Sequence, residues 1–493
     1  MILVLLFVVF QPHHALAQDA AGTKIGNTSD IPAAKAGKPT IGEMGDAIGH
    51  NRIATNIMWT LITGFLVMFM QVGFAMVETG FTQKKNAAHT MAMNFLVYAI
   101  GVTGFWICGF AIMFGGGLNV ASLGNAPGVT SHEYIVHLFG HDFGLWGSVG
   151  YFLDSKVYDV GIFTLFLFQV VFMDTAATIP TGAMAERWKF KSFIIYGFFI
   201  SMFVYPLFGN WVWGGGWLSA LGSNFGLGHG HVDFAGSSVV HEVGGVAALV
   251  GAWVLGPRIG KYGKDGKANT IPGHNIPMAV VGTLILAFGW FGFNPGSTLA
   301  GTDLRIGVIA TNTMLASAAG ALGVLVYQYI TEKGKMDIGM MCNGLLSGLV
   351  AITAPCAFVT APSAMLIGFL SGIICVITAY FVERKLKIDD PVGAFAVHGA
   401  NGAWGVLALG LFADGTYGDG WNGVKGTVTG LFYGDSGQFV AEAIGAVTCF
   451  VFVGGAMYIF FTILKKTMGI RVSEAEEIGG LDMPEVGVLG YVD

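Results

Sequence analysis

Two histidines inside long apolar segments are the residues of this chain whose type and spacing point most directly to chemistry. Each lies eight positions after an aspartate, in the frames Asp233-Phe-Ala-Gly-Ser-Ser-Val-Val-His241 and Asp390-Pro-Val-Gly-Ala-Phe-Ala-Val-His398, and a glycine follows four positions later. An ionisable side chain inside a bilayer-spanning segment is costly, so it marks a functional site by default. The same frame used twice predicts two structural halves that share one site.

The depth of the two histidines along their helices predicts that they meet. If each aspartate marks the start of a helix, its histidine lies about 12 Å further in, at ~1.5 Å per residue. Two helices that start at opposite faces then bring both histidines near the middle of a hydrocarbon core about 30 Å thick. The alternative is two unrelated packing histidines, and the repeated frame argues against it. Desolvation disfavours the charged imidazolium, so we expect at least one ring to be neutral.

The composition identifies a membrane protein. The 493 residues are 54% hydrophobic and only 11% charged, whereas about a quarter of the residues of a soluble domain are charged. The 76 glycines suit closely packed membrane helices. The five cysteines lie in apolar stretches without the spacing of a disulfide framework or a metal site. We therefore predict no metal, no cofactor, no catalytic residue and no nucleic-acid partner; membrane lipid is the expected surrounding.

The first residues resemble a bacterial secretory signal. An apolar run over Met1–Phe10 is followed by Ala15-Leu16-Ala17, an A-x-A cleavage motif before Gln18. Positive residues ahead of the apolar run are missing, so a short extra membrane anchor is the alternative. We predict a signal peptide over 1–17, a flexible extracytoplasmic leader over 18–54, a membrane domain over 55–466 and a cytoplasmic tail over 467–493.

Eleven apolar runs follow residue 54, which predicts an all-α polytopic membrane protein with eleven transmembrane helices. We place them at 55–78, 92–115, 159–182, 190–213, 233–256, 276–296, 306–330, 339–358, 363–383, 391–413 and 437–464. Of the 24 lysines and arginines, all but about seven fall in loops on one side of this topology. Because cytoplasmic loops are enriched in these residues, we expect the N-terminus outside and the C-terminus inside. Spans 1–5 and 6–10 are then two inverted five-helix repeats, and the eleventh helix is left over.

Three further segments, together with the first histidine frame, resemble the ammonium transporter family, which comprises ammonium transporters, methylammonium permeases and Rhesus proteins. They are Gly182-Ala-Met-Ala-Glu186-Arg187, Val212-Trp213-Gly-Gly-Gly and Gly-Trp290-Phe291-Gly-Phe293-Asn294-Pro295-Gly-Ser297. The resemblance covers nearly everything after residue 50. It implies a homotrimer in the bacterial inner membrane, with one channel per subunit, that imports nitrogen as ammonium or methylammonium without covalent chemistry.

The resemblance also implies an outer recruitment site for ammonium, formed by Trp213 and Ser297. Elementary chemistry agrees, because an aromatic face attracts a cation and a hydroxyl oxygen accepts an ammonium N–H. Asp233 belongs to the same outer opening of the pore, which we call the mouth. We expect it to cap the start of span five rather than touch the substrate. Its negative charge favours cations there.

Below this site the resemblance implies a hydrophobic gate and a pore lined by histidines. Phe293 lies inside the span-six motif, and Phe172 is assigned from the less distinctive run Gln169-Val-Val-Phe172. His241 and His398 would line the pore. In the implied mechanism ammonium loses its proton near the gate and ammonia passes along the histidines. Potassium has no proton to lose, so it is excluded by the cost of dehydration.

Some positions depart from the family pattern. Gly393 stands where some members carry a carboxylate, and Val486 stands where the regulatory tail usually has a histidine. The tail otherwise resembles the family's, which implies docking of a PII-type nitrogen-signalling protein. Asp174 lies inside span three, where we expect hydroxyls such as those of Thr175 or Thr178 to bond its carboxyl group.

Three other functions deserve comparison. Paired membrane histidines can ligate haem, but a haem protein usually needs more of them, and the other ten histidines fall outside the predicted spans. An ammonium sensor is the second alternative, although such sensors generally carry an appended signalling domain. A Rhesus-type channel for ammonia or carbon dioxide is the third, and Ser237, Ser238 and Trp213 favour the ammonium branch instead.

Overall fold

A computed structural model of the chain describes residues 27–115, 120–124, 132–332 and 334–492. The predicted signal peptide at 1–17 lies outside the described residues. The chain separates into two units, Met1–Thr55 and Asn56–Asp493. In the described part of the first unit, Glu43 accepts the backbone N–H groups of Ala34 and Thr40, which fixes the turn where the first long helix begins.

Eleven apolar helices follow one another in the described residues, which confirms the predicted fold class. Ten are long enough to cross a bilayer, and the eighth along the chain is shorter. They are α1 (Ile41–Phe81), α2 (Lys84–Phe114), α3 (Val160–Met184), α4 (Phe190–Trp213), α5 (Ser237–Leu255), α6 (Ile276–Thr298), α7 (Ile306–Thr331), α8 (Ile338–Thr353), α9 (Ala361–Leu386), α10 (Phe395–Phe412) and α11 (Ser436–Thr467).

Four helix starts differ from the prediction. Helix α2 begins at Lys84 rather than at 92. Helix α1 begins at Ile41, so the last part of the segment expected to be a flexible leader is helical. Helices α5 and α10 begin at Ser237 and Phe395, later than predicted. The reason is local, because Asp233 and Asp390 lie ahead of these helices and bond their first turns rather than taking part in them.

Side-chain caps and glycines explain why the helices form and pack where they do. The oxygens of Asp159, Asp337 and Asp435 accept backbone N–H groups at the starts of α3, α8 and α11, which satisfies donors that have no partner within the helix. Glycines let helices touch backbone to backbone. A Cβ atom at Gly372 of α9 would lie 2.1 Å from the carbonyl oxygen of Gly320 in α7.

The loop between α2 and α3 contains the two strands found in the described residues. Strands β1 (Glu133–Leu138) and β2 (His141–Gly147) pair antiparallel, and the rings of Tyr134 and Trp146 stack with centroids 4.5 Å apart. The hairpin is anchored because Trp217, in the loop after α4, donates its N–H to the carbonyl of Gly144. This small sheet is the exception to an otherwise helical fold.

The segment after α11 is ordered and contains a short helix, α12 (Glu474–Gly479). Carboxylates of this tail accept backbone N–H groups from a loop and from the starts of two helices: Glu477 from Ile259 at 2.7 Å, Asp482 from His89 at 2.9 Å and Glu485 from Phe190 at 2.7 Å. The tail therefore bonds the loop that follows α5 and the first turns of α2 and α4.

Candidate functional site

The two histidine frames have the same local structure. The carboxylate of Asp233 accepts four backbone N–H groups at the start of α5, at 2.7–3.0 Å. The carboxylate of Asp390 accepts those of Gly393 and Phe395 at 3.0 and 2.9 Å. Each helix then opens with a π-helical turn, Ser237–Glu242 in α5 and Phe395–Ala400 in α10, and each turn carries its histidine. Such turns are frequent at functional sites.

The glycine that follows each histidine lets α5 and α10 cross closely. A Cβ atom at Gly245 would lie 2.0 Å from the backbone nitrogen of Gly399, and one at Gly402 would lie 2.4 Å from the carbonyl oxygen of Ser237. Neither helix tolerates a larger residue there without moving apart. The glycine spacing seen in the sequence therefore sets the distance between the two histidine-bearing turns.

His241 and His398 are in direct contact at this crossing. Their Nδ1 atoms are 3.2 Å apart, and their rings lie 5.2 Å apart at an interplanar angle of 21°. Both side chains are buried. The ring of His241 also stacks on Trp290 with centroids 5.0 Å apart. In the described part of the chain, its Nε2 has no hydrogen-bond partner, so this nitrogen is available to a small polar molecule.

The two phenylalanines predicted to form a gate are stacked next to the histidines. The rings of Phe172 and Phe293 have centroids 4.0 Å apart at 28°, and both are fully buried. Phe293 lies 5.3 Å from the ring of His241, and Phe172 lies 6.3 Å from that of Trp213. We call the series Trp213, Phe172, Phe293, His241 and His398 the ring row.

The outer end of the ring row carries the residues expected to recruit ammonium. Trp213 and Ser297 are partly exposed. The indole Nε1 of Trp213 donates to the backbone carbonyl of Asp233 at 2.6 Å, which fixes the ring plane. The hydroxyl of Ser297 donates to the carbonyl of Phe293 at 2.8 Å. Its proton is thus committed, and its oxygen keeps lone pairs that can accept an N–H group.

A buried polar cluster behind Asp233 was missed by the sequence reasoning. The hydroxyl of Ser238 donates to Asp233 at 2.7 Å and lies 2.9 Å from Nε2 of His231, whose Nδ1 pairs with Glu442 of α11 at 2.6 Å. Burial alone would lower the pKa of His231, but the Glu442 carboxylate outweighs it and raises that pKa. The cluster holds the Asp233 cap in place. Glu442 could have been found, because it is an ionisable residue inside an apolar span.

The Glu186-Arg187 motif ties together the ends of three helices on the other side of the protein. Arg187 donates to the carbonyls of Gly256 and Asp389, and Arg258 pairs with both Glu186 and Asp389. Burial alone would raise the pKa of the Glu186 carboxyl, but the Arg258 guanidinium lowers it overall. The same holds for Asp389, whose pKa Arg187 and Arg258 hold below its usual range. This motif stabilises the fold rather than the ring row.

Two expectations about single residues are wrong. The hydroxyl of Thr178 donates to the backbone carbonyl of Asp174, not to its carboxyl group, and that of Thr175 donates to Val171. Within the described ranges the Oδ1 atom of Asp174 has no partner. His89 lies inside α2, although we expected every histidine outside the two frames to fall outside the spans. Its ring packs on Phe190, away from the ring row.

The described residues hold no group of three or more His, Cys, Asp or Glu side chains that could bind a metal. With eleven apolar helices and a buried row of rings that ends in two histidines, the fold and the site define a polytopic α-helical membrane protein. Comparison with known proteins identifies its family.

Residues 58–491 match the profile of the Ammonium Transporter Family. The ammonium transporter Amt2 of Archaeoglobus fulgidus is 45% identical over 443 residues, which cover 89% of this chain and 88% of that relative. Amt2 of Haloferax mediterranei is 36% identical over 447 residues, covering 88% and 90%.

Solved structures agree. A chain described as a sensor Amt protein superposes with a TM-score of 0.76 at 36% identity, covering 89% of this chain and all of that one, and Candida albicans Mep2 superposes with a TM-score of 0.71 at 25% identity, covering 86% and 87%. The chain belongs to the Ammonium Transporter Family. It is a transporter of ammonium across a membrane, not an enzyme.

Proposed function

We propose that the chain imports ammonium through the ring row, with recruitment of the cation at Trp213 and Ser297 and passage of ammonia along His241 and His398. The observation that carries this proposal is the 3.2 Å contact between the two Nδ1 atoms, directly below the stacked Phe172 and Phe293. This arrangement joins a partly exposed cation site to a buried, uncharged line of nitrogen atoms.

The mouth suits ammonium rather than neutral ammonia. The face of Trp213 attracts a cation, and the Ser297 oxygen accepts one of its N–H groups. Asp233 adds a negative charge, although its carboxylate is fully used by the first turn of α5 and by Ser238. Asp233 therefore acts through its field and by holding Trp213, whose Nε1 bonds the Asp233 carbonyl.

The gate and the histidines suit the neutral molecule. Two stacked phenylalanine rings offer no hydrogen bond to a hydrated ion, so a cation cannot keep its water shell while it passes between them. Ammonium can give up a proton before this point, whereas potassium cannot. Past the gate, neutral imidazoles in contact present one donor and one acceptor each. The free Nε2 of His241 can bond ammonia there.

We extend the proposal to location and assembly. The lysine and arginine distribution supports a multi-pass protein of the bacterial inner membrane, with the N-terminus outside and the C-terminus in the cytoplasm. The resemblance supports a homotrimer in which each subunit has its own pore. The ordered tail, bonded to the loop after α5 and to the starts of α2 and α4, offers a surface through which a PII-type protein could act.

Uptake and ion currents in proteoliposomes test the pore. We expect His241→Ala to abolish methylammonium uptake, and His398→Ala either to reduce it strongly or to admit potassium. Removal of one ring leaves the other buried imidazole unpaired, at a cost of ~1–3 kcal/mol. His398→Glu keeps an acceptor that can share a proton, so it should retain some transport. His89→Ala is the matched control, because it removes a buried histidine away from the ring row.

Methylammonium uptake and potassium current are measured together at matched protein abundance. If both alanine variants of the histidine pair carry ammonium normally and still exclude potassium, the pore lies elsewhere.

Ammonium sensing is a second candidate, favoured by the likeness to the chain described as a sensor Amt protein. A sensor would bind ammonium at the mouth but transport little of it. Comparison of methylammonium binding to purified protein with uptake into proteoliposomes separates the two. Saturable binding without uptake supports sensing, whereas uptake that saturates at the same concentrations supports transport.

A further inference from the structure

A small cavity lies beyond His398, at the inner end of the ring row. Its volume is about 20 Å³, and its lining includes His398, Phe74, Asn343 and Glu78. A cavity of this size holds one water-sized molecule, and ammonia is of similar size. Glu78, near the end of α1, is the acidic residue in this lining, and its side chain is buried.

The small cavity leads towards the loops of the side predicted to be cytoplasmic. A second cavity of about 510 Å³ shares Asn343 and Val392 with it and is lined by charged residues that include Arg258 and Asp390. A molecule that leaves the histidine pair for the larger cavity therefore passes Glu78. Glu78 therefore lies between the apolar interior and the larger cavity with its charged lining.

The hydrogen bonds of Glu78 leave room for a proton on its carboxyl group. Its Oε2 accepts from Asn94 at 2.7 Å and lies 2.7 Å from the hydroxyl oxygen of Thr181. That hydroxyl also lies 2.7 Å from the carbonyl oxygen of Thr178. One hydroxyl proton serves one acceptor at a time. When it goes to Thr178, the carboxyl group must supply the proton in its contact with Thr181.

We propose that Glu78 is the inner acid of the pore, which protonates ammonia as it leaves His398. This inference rests on the proposed function. The nitrogen lone pair of ammonia forms a new N–H bond while the carboxyl O–H bond breaks, so neutral acid and ammonia become carboxylate and ammonium. The ammonium moves to the larger cavity, and a hydronium ion from the water on that side re-protonates the carboxylate and becomes water.

The neighbours of Glu78 fit both of its states. After proton transfer the Thr181 hydroxyl can turn from Thr178 to the carboxylate, and Asn94 continues to donate to it. Two donors then stabilise the negative charge. Apart from Asn343 and His398 the remaining lining is aliphatic or aromatic, so Glu78 is the one acidic partner that ammonium meets in this cavity. Glu78 thereby decides where the neutral molecule becomes an ion again.

Replacement of Glu78 by glutamine tests this inference, because the amide keeps the shape but has no acidic proton. We expect Glu78→Gln to reduce the maximal rate of ammonium uptake about a hundredfold, the lower end of what a positioned general acid contributes. Half-saturation should stay near the wild-type value, because the outer mouth is intact. Glu78→Asp should recover part of the rate. Asp174→Asn is the matched control, since it neutralises a buried acid of α3 outside the cavity lining.

Infrared difference spectroscopy supplies a readout that a purely structural role would not move. Addition of ammonium to the wild type should remove a carboxylic-acid carbonyl band, which is missing in Glu78→Gln and kept in Asp174→Asn. Normal uptake by Glu78→Gln would overturn the inference, and so would a lost rate with no band assigned to Glu78. His241→Ala and His398→Ala are run in parallel. If they fail while Glu78→Gln transports normally, only the role of Glu78 is wrong; if they transport normally, the proposed pore is wrong.

Discussion

Trp213 has only its ring face to offer a cation, because its one polar atom is already bonded. Nε1 donates to the carbonyl of Asp233 at 2.6 Å, and the ring stands at 72° to that of Phe172. The ring is therefore held between the cap of α5 and the gate. In the proposed pathway, a cation bound next to this ring lies at the last partly exposed position before two fully buried rings, and it gives up its proton there.

Trp213→Leu should weaken the apparent affinity for methylammonium. A cation–π contact contributes ~0.5–2 kcal/mol, which corresponds to a change in half-saturation from a few-fold to about thirty-fold. The half-saturation concentration is measured from uptake at a series of methylammonium concentrations. Trp211→Leu is the control variant. The indole of Trp211 is also partly buried, but it donates to the carbonyl of Leu145 instead. Unchanged half-saturation in Trp213→Leu would count against recruitment at this ring.

At the scale of helices, a buried ion cluster joins the ends of α3, α5 and α9–α10. Arg258 follows α5, Glu186 follows α3, and Asp389 precedes α10. The three side chains are nearly inaccessible to water, and Arg258 bonds both carboxylates. Loss of one member of a buried ion pair is costly because it leaves the other charge uncompensated.

Arg258→Gln should destabilise the protein by about 3–5 kcal/mol at neutral pH, measured as a lower thermal unfolding temperature in detergent. The folded-state pKa values of Glu186 and Asp389 are lowered, so the pairs stabilise the protein above the unfolded values near 4 and less as pH falls below them. The difference between wild type and variant should thus shrink in acid. Lys264→Gln, on the exposed part of the same loop, should change little. A constant difference down to about pH 3 would contradict this account.

The tail is also an element whose removal has a defined consequence. Its carboxylates accept backbone N–H groups from the loop after α5 and from the starts of α2 and α4, so it constrains how these three segments move relative to one another. Deletion of residues 472–493 should leave the helices and the assembly intact, as seen by size exclusion, but change the transport rate in vesicles. The point variant Asp482→Asn should act in the same direction and more weakly. Transport equal to wild type for both would show that the tail has no influence on the pore.

At the scale of the whole molecule, the predicted membrane arrangement places a processed N-terminus on the extracytoplasmic side. The A-x-A motif at 15–17 predicts cleavage after Ala17, so the purified protein should begin at Gln18 in intact mass spectrometry. Protease added to sealed right-side-out vesicles should remove an N-terminal tag inserted after that site and spare a C-terminal one. An intact Met1 would disprove the cleavage, and digestion of the C-terminal tag would reverse the orientation.

Local features of the sequence were enough to predict the helices. Ten of the eleven apolar helices in the described residues are of bilayer length, and hydrophobicity along one segment does not depend on distant residues. The helix starts were less predictable. Ser237 and Phe395 begin their helices only because Asp233 and Asp390 bond the first turns, and the π-helical turns that carry the histidines leave no pattern in the residues. The repeated frame did indicate which residues to examine.

Contacts between helices were decided by the tertiary structure. His241 and His398 are 157 positions apart, and their contact needs the glycine crossing of α5 and α10. The stack of Phe172 on Phe293, the pairing of His231 with Glu442 and the cavity beside Glu78 likewise join segments distant in the chain. The sequence by itself determined that eleven helices form and which side chains are chemically unusual, because those are properties of single segments. Which of these side chains meet depends on how the helices pack, and only the folded molecule shows it.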